Sequence, residues 1–229
     1  HDGAIRVVTL PQKNYTTKSD IYSTKSGLFP ADHFYQVYQD RAGNNWLLTD
    51  NGLGMIRPGE WQPVNYFVET QGKQDGMNQA FYAVRECEDD ICFTSDRGRI
   101  WCYQKKSGEF RLHELPTKAR ITSIHAVGND NTVVTTDSDG FFLSNLKTNK
   151  HIHYSPVTCK ELSDQPILSA YVDRTSEVWF EQEEPGVVVH FNPATGVVKR
   201  EQMRVEYSNA DRSRPAFHIH EDIHGHVWV

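Results

Sequence analysis

The residues with the most obvious chemical capacity lie near the C-terminus, where His218 and His220 flank Ile219 and are followed by Glu221, Asp222, His224 and His226. On a strand, His218 and His220 point to one face, which is what two imidazole ligands of a metal require. A turn between Asp222 and Gly225 sends His224 and His226 to another height. The set is therefore read as solvated strand histidines, with no metal expected, and His151 and His153 are read the same way. General acid–base catalysis needs two carboxylates, or a metal-held base, converging on one bond. The acids here are scattered without a spaced pair, so no catalytic residue is expected, and no cofactor.

Cysteine chemistry is bounded by spacing. No Cys-x-x-Cys pair exists to suggest zinc, and Cys159 has no evident partner. Cys87, Cys92 and Cys102 fall close together, and a two-residue turn at Asp89-Asp90 would set Cys87 opposite Cys92. Two readings stay open, a cross-strand disulfide there or free buried thiols.

Composition narrows the function classes. The 229 residues carry a net charge of -6, whereas a duplex binder needs a basic footprint, so no nucleic-acid partner is expected. No apolar run reaches the roughly 18 residues of a membrane span, and the N-terminus lacks a charged-then-apolar signal pattern. The sequence is read as a soluble, already trimmed segment.

The elements that must position these residues are short and repeated. Helical periodicity never persists, and Gly, Pro, Asn and Asp punctuate the chain. The stretch from Gly27 to Leu53 parses as Phe34–Gln39, a turn at Asp40 to Asn44, a second β run from Trp46 and a closing Asp50-Asn51-Gly52. Its signature, Asp six residues before Trp and Gly three before, returns at Asp222, Gly225 and Trp228. Weaker copies place Glu86 before Cys92, Gly128 before Val134 and Asp173 before Trp179. The column Trp46, Cys92, Val134, Trp179, Trp228 is spaced by 46, 42, 45 and 49 residues. Four short β runs per unit on such a period predict an all-β fold built of β-propeller blades. In the second repeat the runs are Phe81–Arg85, Ile91–Thr94, Arg99–Gln104 and Phe110–Leu115, with turns at Glu88-Asp89, Asp96-Arg97-Gly98 and Lys105-Lys106-Ser107-Gly108 between them. The third copy is offset by one residue, as a β-bulge or a misplaced column would produce.

Residues 1–229 are expected to form one propeller region, with blades at 27–69, 77–116, 120–157 and 165–207. Residues 1–25 supply two outer strands of a partial blade and 217–229 two inner strands. Either the chain is an open piece of a larger, seven-bladed ring, or its ends join to close a five-bladed one.

The phrase Gly27-Leu28, Asp40, Gly43, Asn44, Trp46, Thr49, Gly52, Leu53 resembles the two-component regulator propeller repeat, and Asp222, Gly225 and Trp228 match it again. The resemblance implies the periplasmic sensor region of a Bacteroides-type hybrid two-component histidine kinase. It further implies oligosaccharide ligands from glycan breakdown, control of polysaccharide-utilisation genes, a homodimeric parent in the inner membrane, and kinase activity outside this segment. A propeller lyase or glycosidase and a protein-docking scaffold are the alternatives. Within the repeat, Asp40, Gly43, Trp46, Gly52, Asp173, Trp179, Asp222, Gly225 and Trp228 are assigned to structure rather than ligand. The ligand face of a propeller is formed by the loops leading into inner strands and those joining second to third strands. Here those loops carry His33, Asn78, Gln79, Arg97, Lys118, Arg120, Glu183, Arg212 and Arg214, whose Arg members suit acidic sugars.

Overall fold

The computed structural model describes residues 4–9, 18–23, 31, 33–60, 62–66, 79–128, 130–182, 184, 186–202 and 219–228. Every regular element among them is a strand, and no helix among the described residues is long and apolar enough to cross a membrane. The chain divides into two compact units, residues 1–86 and 87–229.

In the first unit, β1 (Ala4–Thr9) pairs antiparallel with β2 (Lys18–Ser23). A four-stranded antiparallel sheet follows, formed by β3 (Phe34–Gln39), β4 (Asn45–Thr49), β5 (Gly52–Ile56) and β6 (Val64–Tyr66) in sequence order. The unit ends with β7 (Phe81–Glu86), the first strand of the second sheet. The second unit holds β8 (Asp90–Ser95), β9 (Arg99–Gln104) and β10 (Phe110–Glu114) of that sheet. It continues with a third sheet, β11 (Ile121–Val127), β12 (Asn131–Thr136), β13 (Phe141–Asn145) and β14 (Lys150–Tyr154). The fourth comprises β15 (Ile167–Val172), β16 (Val178–Gln182), β17 (Val187–Asn192) and β18 (Val197–Gln202). A short pair, β19 (His220–Glu221) and β20 (Val227–Trp228), comes last.

Burial explains the strand compositions. In the first and third four-stranded sheets the second and third strands are buried along nearly their whole length and read as apolar runs, Trp46-Leu47-Leu48 in β4 and Val133-Val134 in β12, all at 0% exposure. Of the outer strands, β18 is largely exposed and β14 half-buried, and they carry Lys, His, Arg and Glu, as edge strands do. In the second unit the core joins the third and fourth sheets. Phe141 lies 4.5 Å from Phe180 and 4.9 Å from Phe191, ring centre to centre, with Val127, Val133, Val178, Val187 and Val189 around them. In the first unit Leu47 and Ile56 pack against Phe34.

Two sequence readings are corrected here. The turn after β7 is Glu88-Asp89, because the Cys87 amide donates to the Asp90 carbonyl at 2.8 Å. That slip of one residue moves Cys92 off Cys87. Cys92 instead faces Cys102 across β8 and β9 and forms a disulfide with it, while Cys87 and Cys159 are free thiols.

The third column is Val133 rather than Val134. Thr49 Oγ1 donates to the Gly52 carbonyl at 2.8 Å, and Thr136 Oγ1 does the same to Gly140 at 2.9 Å. Trp46 lies three residues before Thr49, so its counterpart lies three before Thr136. The offset does not come from a bulge peculiar to this sheet. The register shifts between Ile121 and Ser123 in β11, and equally between Phe34 and Gln36 in β3 and between Ile167 and Ser169 in β15. With the column corrected, the facing pairs are Trp46 with Met55, Cys92 with Cys102, Val133 with Leu143 and Trp179 with His190.

Candidate functional site

The Asp…Trp spacing resolves into one hydrogen-bonded device used three times. Asp40 accepts from the Trp46 indole N–H at 2.9 Å, Asp173 from Trp179 at 2.8 Å and Asp222 from Trp228 at 3.1 Å. The other carboxylate oxygen takes the amides two and four residues on, those of Ala42 and Asn44, Thr175 and Glu177, and His224 and His226. A six-residue spacing places the acid where it ties the hairpin turn to the strand that leaves it, and Gly43 and Gly225 supply the left-handed backbone the turn needs, at φ 85° and 87°. Burial works to raise the Asp40 and Asp173 carboxyls, but the indole and amide donors outweigh it and hold both below the ordinary value of 3.8. At Asp222 the His226 amide leads the same downward shift. Trp46 is fully buried, whereas Trp228 is 61% exposed.

A second acid seals the turn from outside. Glu86, the last residue of β7, accepts from the Arg41 amide at 3.2 Å and the Tyr38 hydroxyl at 2.8 Å. Burial together with this carboxylate pushes the Tyr38 phenol up to about 12. Glu221, the last residue of β19, likewise takes the Arg174 amide at 3.0 Å and pairs with its guanidinium. Arg41 and Arg174 each follow the capping Asp, so the same geometry is built in both units.

The loops at the opposite end carry the ligand candidates. His33 and Asp50 exchange backbone bonds, with the Asp50 amide donating to the His33 carbonyl at 3.2 Å and the His33 amide donating to Asp50 Oδ1 at 3.1 Å. The His33 ring reaches Asp50 Oδ2 at 3.2 Å. Arg120 and Asp137 repeat this arrangement at 3.1 and 3.2 Å, and Arg120 Nε lies 3.4 Å from Asp137 Oδ2. Both side chains therefore already face a carboxylate. Those acids were not among the expected site residues. Their signal in the sequence is the Thr-Asp step closing the second strand, Thr49-Asp50 and Thr136-Asp137.

Gln79 is buried, and its carbonyl takes the Gly52 amide at 2.9 Å. Gly98 makes the equivalent bond to the Ala119 carbonyl at 3.0 Å, and also holds the Leu115 amide at 2.9 Å. Arg97 and Lys118 flank this junction, both exposed, and neither has a hydrogen bond or ion pair among the described residues. Arg97 sits at φ 58°, directly before Gly98 at φ 69°. Asn78, Glu183, Arg212, Arg214 and His218 lie outside the described residues, as do Gly27 and Leu28. His220 is exposed and pairs with Trp228 across the last hairpin. Among the described residues no three His, Cys, Asp or Glu side chains are grouped to hold a metal.

Three clefts formed by described residues of the second unit have none of these candidates in their lining. One of 490 Å³ is bounded by Tyr154, Val157, Cys159 and Glu161, and one of 640 Å³ by Leu143, Lys150 and His151. The smallest, 150 Å³, is lined by Glu177, His190 and Lys199.

No protein-family profile and no curated protein matches the sequence. Solved structures match the fold. The extracellular domain of the hybrid two-component system BT3049 from B. thetaiotaomicron superposes with a TM-score of 0.65 at 19% identity, over 87% of this chain and 27% of that one. The corresponding domain of BT4673 from the same organism gives 0.60 at 14% identity, over 92% and 34%. Virginiamycin B lyase from Staphylococcus aureus gives 0.62 at 15% identity, over 90% and 75%. The chain thus spans about a third or less of the two sensor domains. At these identities the likeness establishes the fold, a β-propeller architecture of four-stranded antiparallel blades.

Proposed function

We propose that this chain is part of the extracytoplasmic, ligand-sensing propeller region of a hybrid two-component regulator, with no catalysis of its own. Its signal would be an oligosaccharide released from a glycan, and its output the transcription of genes that use that glycan. In this reading the parent protein is a homodimeric histidine kinase in the inner membrane, and the segment lies in the periplasm. The supporting observation is the fold shared over 87% of the chain with the extracellular domain of a hybrid two-component system. The same loop geometry occurs once in each unit, at His33–Asp50 and at Arg120–Asp137, and each holds a polar side chain by backbone bonds. Pre-set donors of this kind are what selective binding of a hydroxyl-rich ligand requires.

The test is thermal unfolding of the purified chain against a panel of plant and host oligosaccharides. A ligand that binds only the folded state raises the melting temperature by mass action, roughly 2.7 kcal/mol of stabilisation at a hundred times the dissociation constant. A selective shift with one glycan class is expected. Release of a modified sugar on incubation would overturn the non-catalytic reading.

A further inference from the structure

The junction between the second-sheet turn and the strand that opens the third sheet carries an unusual residue choice. The turn Asp96-Arg97-Gly98-Arg99 is closed by the Arg99 amide donating to the Asp96 carbonyl, and both central residues have positive φ. That is a type I′ turn, for which Asn-Gly, Asp-Gly or Gly-Gly is the ordinary solution. Arginine in the first central position works against the backbone, because a Cβ in the left-handed region is strained. Turn chemistry alone therefore does not account for Arg97.

The position is also rigidly placed. The Gly98 amide donates to the Ala119 carbonyl, and a Cβ built on Gly98 would meet the Leu115 carbonyl and the Thr117 methyl at 2.9 Å. Arg97 and Lys118 thus project from two segments bonded to each other at the residues beside them. Arg120 follows on the same connector, with its charge already turned to Asp137. In a chain of net charge -6, this puts two uncompensated cations on one junction, each next to a residue of the Gly98–Ala119 hydrogen bond, and Arg120, a third, paired cation, follows Ala119. Asp96 is the acid nearest in sequence to Arg97, and Glu114, which pairs with Arg99, the nearest to Lys118.

Resting on the sensing reading above, we infer that Arg97 and Lys118 form an oxyanion site that takes a carboxylate or sulfate group borne by the oligosaccharide. The planar guanidinium offers two parallel donors to such a group, and the ammonium of Lys118 adds a point charge beside it. Arg120, held by Asp137, stands ready to exchange its partner for the ligand. A neutral sugar leaves both free cations without a counter-charge and is selected against.

Calorimetric titration of the whole chain tests this with four probes: a uronic-acid oligosaccharide, a sulfated oligosaccharide, a neutral oligosaccharide of equal length, and sodium sulfate. One of the two acidic sugars is expected to bind at least tenfold more tightly than the neutral one, and the acidic arm that binds names the group. Arg97→Asn gives the turn the residue it prefers, so its melting temperature stays level or rises while affinity for the acidic sugar falls tenfold or more. Lys118→Gln weakens the same probe without changing stability. Equal binding of neutral and acidic sugars, indifferent to both substitutions, overturns the oxyanion site and leaves the sensing reading standing. Failure of both acidic sugars also overturns it, and the neutral arm then decides the sensing reading separately. Inorganic sulfate binding as tightly as either sugar overturns the assignment of the group to a saccharide.

Discussion

Asp40 carries four accepted bonds on one carboxylate, from the amides of Ala42 and Asn44, the Asn44 side chain and the Trp46 indole. Asp40→Asn keeps the shape but turns an amide N–H₂ toward one of the donors that the carboxylate satisfied. The expected cost is about 2–3 kcal/mol, read from chemical denaturation, because a buried donor left unmatched loses its full solvation. The charge also sets an acid limb. The folded carboxyls of Asp40 and Asp173 lie below 3.8, so as pH falls the unfolded chain takes up protons first. Their contribution is fully present above that ordinary value and is lost progressively below it. A denaturation series from pH 6 to pH 2.5 should fall on the acid side in the native protein and fall less steeply in Asp40→Asn. Cys159 gives a thiol counterpart. Burial and a hydrogen bond to Glu161 push it up, so alkylation at pH 7 should be slow and should accelerate as the pH is raised past 9. Residue-level reading of the sequence picks out Asp40, Asp173 and Asp222 by their six-residue spacing to Trp, and each accepts from that indole. It passed over Asp50 and Asp137 because a search for donors to a ligand does not look for the acids that already hold those donors.

At the scale of strands and turns, the four runs of the second repeat were legible to within one residue, since β-branched and aromatic clusters bounded by Gly and Asp leave little choice. The first turn is read two ways, at Glu88-Asp89 between the β runs and at Asp89-Asp90 for the cysteine pairing, and only the first holds. Glu88, Asp89 and Asp90 are three acids in succession, two of them equally apt at a turn, and nothing local distinguishes a loop at Glu88-Asp89 from one a residue later. The cross-strand partner of Cys92 hung on that slip. The Val134 column failed for a related reason, because it was aligned on Gly128 rather than on the Thr-Asp step that the hydrogen bonds fix. The closing turns make firm predictions. A Cβ on Gly140, at φ 66°, would sit 2.1 Å from the Tyr154 carbonyl, so Gly140→Ala should cost roughly 2 kcal/mol or more in stability. Gly59 has the same backbone sign but open space around it, and Gly59→Ala should cost less, about 1 kcal/mol. Amide exchange should order the strands. β4, β8 and β12 are buried along nearly their whole length and should exchange last, whereas β18, an exposed edge, should exchange early.

At the scale of the whole chain, the repeats share a backbone pattern more faithfully than a sequence. The bulge near the start of β3, β11 and β15 recurs where the side chains differ, and the amide of a turn glycine finds the next connector at both Gly52 and Gly98. Main-chain geometry of this kind leaves only a weak trace in residue types, which is why the middle repeats were faint in the sequence while the first and last stood out. The slot that Trp46 and Met55 fill in the first sheet is filled in the second by the Cys92–Cys102 bond. Two small side chains bury less apolar area than an indole and a thioether, and the covalent link offsets that loss. Closing a loop across a separation of 10 residues contributes about 2–3 kcal/mol in the chain-entropy account. Reduction should lower stability by that amount, and alkylation before and after it should tag Cys92 and Cys102 only in the second case. The second blade has in effect exchanged a packing solution for an oxidative one. Its maturation becomes a step with a reagent, so protein made in a thiol-reducing cytosol would emerge with that blade loosened, whereas secretion would deliver it finished. For anyone producing this chain, the choice of host compartment is then a choice of which molecule is obtained.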